Sequence, residues 1–246
     1  MCGLSLTLAF VLALGQTSGS KKMSDREHHG FIGPIKRVFA EWSPVGRSYG
    51  EVAPGKRCRE RTDVFDKEGR LTQNSVYPGS CGSEEIREYY AYDSDGSRTE
   101  TMDASRASGI PSGPPPIAVG SVALQANLPR TTFQHDAQGK LTEASTSRGA
   151  KVIYKLAYSY DDRGRLLEAR GYGEDGRVGV RRVYRYAGDR NVPSSFAYFD
   201  GDGQVREEIA YSDYEFNSVG DWVKRKETST GSQTRVSVTY RQIEYH

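Results

Sequence analysis

The sequence predicts an all-β protein built from consecutive antiparallel hairpins that form an extended, twisted or spiralling sheet. Three observations carry this. The pattern aromatic-Asp-x-x-Gly-Arg/Lys-Leu recurs along the chain, most fully at Tyr160-Asp161-Asp162-Arg163-Gly164-Arg165-Leu166. The flanks alternate at strand period, as in Leu156, Tyr158 and Tyr160 against Lys155, Ala157 and Ser159. Hydrophobic residues are only 36% of the chain and charged residues 27%, which suits a thin sheet wetted on one face better than a thick globular core.

The repeat has a local physical meaning. Asp at the first turn position accepts hydrogen bonds from its own turn, and Gly at the fourth adopts the positive φ that other residues resist. The result is a three-residue hairpin loop closed by a glycine bulge. In that geometry Asp66 faces Arg70, Asp136 faces Lys140 and Asp161 faces Arg165. One step outward, Phe65 faces Leu71, Tyr160 faces Leu166, Phe199 faces Val205 and Phe216 faces Trp222. Such cross-strand pairs contribute roughly 0.2–1 kcal/mol each.

Taken in order along the 246 residues, positions 1–19 read as a secretory signal. Leu4 to Leu14 is apolar but short of the roughly 20 residues that span a bilayer, and Ala13-Leu14-Gly15 offers small residues for cleavage. Met1-Cys2-Gly3 lacks the usual basic residue, and Cys2 precedes the apolar run, where no lipid anchor is read. Residues 20–32 read as a flexible polar leader. A first hairpin block covers 33–103. Pro111, Pro114, Pro115 and Pro116 among Gly, Ser and Ala then interrupt any sheet, so 104–128 reads as a loop or linker. A second hairpin block covers 129–246.

Export leaves Cys58 and Cys81, which an oxidising compartment would allow to bridge; two unpaired thiols are the alternative. The net charge of +2 and the interspersed signs give no concentrated basic surface for nucleic acid. The run Arg181-Arg182-Val183-Tyr184-Arg185-Tyr186 reads as a solvated strand face.

The motif Tyr-x-Tyr-Asp-x-x-Gly-Arg-Leu at Tyr158 to Leu166 resembles the tyrosine–aspartate (YD) repeat of bacterial Rhs proteins and teneurins. Tyr214 to Arg225 is similar to the closing segment of small secreted bacterial YD-repeat proteins. The resemblance covers roughly residues 60–103 and 129–240. It implies repeats that wind a sheet into a spiral, which in large members closes as a shell around a toxin domain. Too few repeats are present here for a shell, and the resemblance lends no catalytic residue.

Candidate chemistry is sparse. His28 and His29 are adjacent and read as part of the leader, without a metal partner set. His135 occupies the aromatic position of a repeat. Asp200-Gly201-Asp202-Gly203 lacks the rest of a calcium loop and reads as a turn. Glu84-Glu85 and Glu207-Glu208 point to opposite faces of a strand, so neither pair makes an acid–base site by itself. No metal, cofactor or catalytic residue is expected. The 16 Tyr and 2 Trp are the stronger lead, because aromatic platforms with polar tips suit sugars and protein partners.

The sequence therefore predicts a non-catalytic, exported protein, periplasmic or extracellular, that binds or scaffolds at the bacterial envelope. Its expected ligand is a glycan or an envelope protein, met by an exposed aromatic face carrying Tyr158, Tyr160, Tyr198 and Trp222. Open sheet edges allow self-association. The alternatives are a carboxylate-based envelope hydrolase and a displaced fragment of an Rhs-type toxin shell.

Overall fold

The computed structural model describes residues 22–48, 51–77, 81, 85–102, 128–230 and 234–246. The expected signal at 1–19 lies outside them, and so does the expected 104–128 loop apart from Leu128. The strands are β1 (Ile35–Ser48), β2 (Glu51–Pro54), β3 (Cys58–Phe65), β4 (Leu71–Val76), β5 (Ile86–Tyr92), β6 (Arg98–Met102), β7 (Arg130–His135) and β8 (Leu141–Arg148). They continue as β9 (Lys151–Tyr160), β10 (Leu166–Tyr172), β11 (Val178–Arg185), β12 (Ser195–Asp200), β13 (Val205–Phe216), β14 (Trp222–Thr230) and β15 (Arg235–Tyr245).

All pairings are antiparallel, and the sheet does not stay open. β1 pairs with β3 on one side and with β15 on the other, from Ile35↔Tyr245 to Pro44↔Ser237. Of the 15 strands, β2 pairs only with the end of β1. The remaining fourteen close into an up-and-down barrel. This corrects the expected extended or spiralling sheet. Accumulated strand twist brings the first strand beside the last, and their pairing satisfies backbone groups that an open edge would leave bare. Closure also removes the sheet edges expected to support self-association; β2 alone keeps an unpaired side among the described strands. The two expected hairpin blocks are one sheet, joined where Arg98 pairs with Thr131 and Thr99 with Arg130.

The hairpin register is the one the repeat specifies. Phe65↔Leu71, His135↔Leu141, Tyr160↔Leu166, Phe199↔Val205 and Phe216↔Trp222 are cross-strand partners. The Asp66, Asp136 and Asp161 amides donate to the Arg70, Lys140 and Arg165 carbonyls at 2.9–3.0 Å.

Because strands alternate in direction, the turns at 66–69, 93–96, 136–139, 161–164 and 217–220 all lie at one end of the barrel. The turns at 173–176 and 200–203 lie at the other. At the first end the repeat does more than turn the chain. The hydroxyl of Tyr92 donates to the Leu71 carbonyl (3.0 Å), Tyr160 to Leu141 (2.8 Å), Tyr186 to Leu166 (2.9 Å) and Tyr214 to Pro193 (2.7 Å). The cation of each turn covers the ring that opens the next one: Arg70 over Tyr92 (5.3 Å), Lys140 over Tyr160 (5.7 Å) and Arg165 over Tyr186 (4.5 Å). Each motif thus supplies a carbonyl and a cation to its neighbour, and the tyrosines link the hairpins side to side.

Residues 22–34 close this end. The expected flexible leader is folded here as α1 (Asp25–His28), capped by Ser24 and Glu27 in a reciprocal capping box. Its backbone amides bond across the ring of turns, Met23 to the Gly139 carbonyl (2.7 Å) and Arg26 to the Gly69 carbonyl (3.0 Å). Asp25 accepts from the Leu71 amide (2.8 Å) and from the Tyr92 hydroxyl. Buried Asp221 accepts from the amides of Ile32 (2.8 Å) and Gly33 (3.4 Å) and from the Tyr245 hydroxyl (2.9 Å). Phe31 of the plug packs with Ile35, Val38, Phe65 and Leu71 in a buried cluster.

Candidate functional site: the barrel lumen

A fourteen-stranded ring is too wide for its inward side chains to fill completely. The lumen holds a cavity of about 970 Å³ that runs from α1 along the walls. A second cavity of about 440 Å³ shares Arg182 and Tyr184 with it and continues along β11–β13. Strand alternation decides what faces inward. On β11 it is Arg182 and Tyr184; on β9, Tyr154, Leu156, Tyr158 and Tyr160; on β14 and β15, Arg225 and Arg241. The lumen is therefore lined by tyrosines interleaved with arginines and acids.

Four of the arginines are engaged. Arg61 pairs with buried Asp63 (3.0 Å), which also accepts from Asn74 (2.7 Å). Arg225 pairs with Glu227 (2.7 Å) and lies 4.3 Å from the Trp222 ring centre. Arg241 lies over Trp222 (3.5 Å) and Phe31 (4.8 Å). Burial, aided by Arg225 and Arg61, pulls its guanidinium down to about 9. Arg98 lies between Tyr90 (4.4 Å) and Phe133 (5.5 Å). Burial raises the Glu60 carboxyl, with Glu227 adding to the shift. The Tyr158 phenol is pushed up to about 12, mainly by burial.

The plug contributes two imidazoles. His28 packs edge-on against Tyr158 (4.7 Å) and His29 against Phe65 (5.8 Å). Both are lowered to about 4, chiefly by burial. Among the described residues, no group of three His, Cys, Asp or Glu side chains is placed to hold a metal ion.

The four residues expected on an exposed aromatic face are instead in the barrel wall, facing inward. Tyr158 packs on the plug, Tyr160 links two hairpins, and Tyr198 lines the smaller cavity. Trp222 is 6% exposed and sits between Arg225 and Arg241, so it is a structural residue. Curling the sheet into a closed ring moves the aromatic face from solvent to lumen. Cys58 and Cys81 are joined in a disulfide, with Cα atoms 4.5 Å apart. His135 sits at a strand end, partly buried, its ring lowered by burial. Sequence reasoning missed the lumen arginines. The run 181–186 was the available signal: Arg182, Tyr184 and Tyr186 turn inward, and only Arg181, Val183 and Arg185 form the outer face.

That outer face carries ion pairs. Lys155 pairs outside with Glu143 (3.3 Å), Arg185 with Glu208 (3.1 Å) and Lys224 with Glu215 (2.5 Å). A barrel that spans a membrane needs an outward apolar band, and Lys or Arg at the bilayer midplane costs about 2–4 kcal/mol each. These residues define a closed barrel with ion pairs on its outer face and an aromatic, charge-bearing lumen.

No protein-family model and no curated protein matches the chain. Among solved structures it is similar to a porin-like protein from Bacteroides uniformis, at 11% identity and a TM-score of 0.45, over 87% of this chain and 98% of the other. A domain assigned to outer membrane lipoprotein sorting, from Vibrio parahaemolyticus, overlaps at 10% identity and a TM-score of 0.38, over 85% and 86%. A DUF1329 family protein from Desulfovibrio piger follows at 11% and 0.30, over 87% of each chain. Likeness at this level leaves function to be argued from the chain's own residues.

Proposed function

We propose that this chain is a non-catalytic binding module exported to the bacterial cell envelope, related to small YD-repeat proteins, and that it holds a glycan in its lumen. The carrying observation is the lumen wall. Tyrosine and phenylalanine rings offer flat apolar faces to sugar rings, and phenol, guanidinium and carboxylate groups stand between them to meet hydroxyls. The Cys58–Cys81 disulfide supports an oxidising compartment, and the ion pairs on the outer face support a protein surrounded by water. The tyrosine links between hairpins support the YD-repeat kinship, since they give a use to its tyrosine, its basic residue and its leucine carbonyl.

The test is retention of the purified protein on insoluble cell-wall and polysaccharide fractions, with Tyr198→Ala as the lumen variant. Retention by the wild type and its loss in a folded Tyr198→Ala protein is the expected result. Equal retention of both proteins would place binding outside the lumen.

One observation favours a hydrolase as the second reading. Glu60 is raised while Glu227, whose charge contributes to that shift, pairs with Arg225. A raised carboxyl within the field of a second one is a pattern used for acid–base chemistry. Release of reducing sugar from those same fractions, abolished in Glu227→Gln, would select it.

A further inference from the structure

The smaller cavity has a composition of its own. Its wall is two layers of cross-strand neighbours on β11, β12 and β13. Arg182, Tyr198 and Glu207 stand in one register, and Tyr184 and Phe196 in the next. Tyr184 and Phe196 are in ring contact at 5.3 Å, and Tyr211 completes the lining. Its volume, about 440 Å³, falls in the roughly 300–1,000 Å³ range of small-ligand sites.

Arg182 differs from the other lumen arginines. Arg61 and Arg225 are ion-paired, and Arg98 and Arg241 lie on aromatic rings. Among the described residues Arg182 has no ion pair, side-chain hydrogen bond or ring partner, and it is exposed into the cavity. The acid in its own register, Glu207, instead accepts from the Ser229 hydroxyl (2.7 Å). An unpaired guanidinium presents a planar fork of donors that matches a carboxylate in two parallel hydrogen bonds. Rings on either side of such a fork supply stacking surface for the body of the same ligand.

We infer that this cavity is a subsite for an acidic sugar, in which Arg182 pairs with the sugar carboxylate while Tyr184, Phe196, Tyr198 and Tyr211 pack against its ring. Glu207, two strands from Arg182 along the same register and held by Ser229, remains to accept a sugar hydroxyl. The inference rests on the glycan reading above and adds a charge requirement to it. The assignment is to Arg182 as a specificity residue.

The experiment is calorimetric titration of the folded full chain with tetragalacturonate and tetramannuronate, each beside its methyl ester. Esterification removes the charge and keeps the sugar. At least one acid is expected to bind about tenfold or more tighter than its ester, the size of a charge-assisted hydrogen bond. Arg182→Gln is expected to abolish that preference, bringing binding of the acid down to that of its ester. Arg182→Lys, which keeps charge but loses the fork, is expected to fall between the two and gives a readout if the Gln variant does not fold. Equal binding of acid and ester by the wild type, or an undiminished preference in folded variants, overturns the acidic subsite and leaves the glycan reading standing. Binding of none of the four overturns both.

Discussion

At the scale of single residues, the tyrosines serve two purposes that sequence alone does not separate. Tyr160 carries a hydrogen bond between hairpins, and Tyr198 carries none and lines a cavity. Tyr160→Phe keeps the ring beneath Lys140 and removes only the bond to the Leu141 carbonyl. It is expected to lower stability by about 1 kcal/mol, read from a urea midpoint, with no change in ligand retention. Tyr198→Ala is expected to do the reverse. Gly171 shows a third constraint. It sits between Leu156 and Val180 in register, and the Tyr154 ring lies over it. A Cβ there would fall 2.6 Å from Val180 Cγ2 and also meet the Tyr154 hydroxyl. Gly171→Val should therefore destabilise by about 1–3 kcal/mol, as overpacked sites do, measured as a drop in the thermal midpoint.

At the scale of elements, the hairpins were legible and the plug was not. Asp-x-x-Gly fixes a turn and its register within seven residues, so Phe65↔Leu71 or Phe216↔Trp222 could be paired from sequence alone. The plug depends on partners far along the chain. Ile32 bonds to Asp221, 189 positions away, and a four-residue helix has too little periodicity to announce itself. The same distance hid the environment of His28 and His29, which read as leader residues. Their imidazoles hold a proton less readily in the fold than the ordinary value of 6.5 allows, at about 4 for both. Burial is the main cause; Asp25 opposes it for both rings, while Arg61, Arg98 and Arg241 add to it at His29. Between these values the unfolded chain binds more protons, so the histidines' contribution is fully present above about pH 6.5 and is lost as pH falls toward about 4. Urea midpoints at pH 7.5 and 4.5 should therefore differ less in a His28→Gln/His29→Gln variant than in the wild type. An unchanged difference would assign the acid sensitivity to carboxylates elsewhere.

At the scale of the whole molecule, closure decides everything the local motifs leave open. A repeat of hairpins is equally compatible with an open sheet, a spiral or a ring. The choice is made by β1 meeting β15, a contact between opposite ends of the described chain that no local motif encodes. Once the ring closes, each strand's two faces acquire opposite surroundings. The aromatic alternation that looks like an exposed binding face becomes a lumen wall, and the charged alternation beside it becomes the outside. The outer charges then set where the barrel can reside. Embedding it in a bilayer would place Lys155, Arg185 and Lys224 with their acidic partners against hydrocarbon, and each basic residue near the midplane would cost about 2–4 kcal/mol. The protein is therefore expected to remain in the supernatant when expressed as the full 246-residue chain and fractionated without detergent. It should also show no uptake into preformed lipid vesicles on flotation. Recovery in the floating fraction, resistant to carbonate wash, would mean that the outer face is covered or rearranged in lipid. The lumen, with its plug and its unpaired Arg182, would then have to be read as a transmembrane passage instead of a ligand site in water.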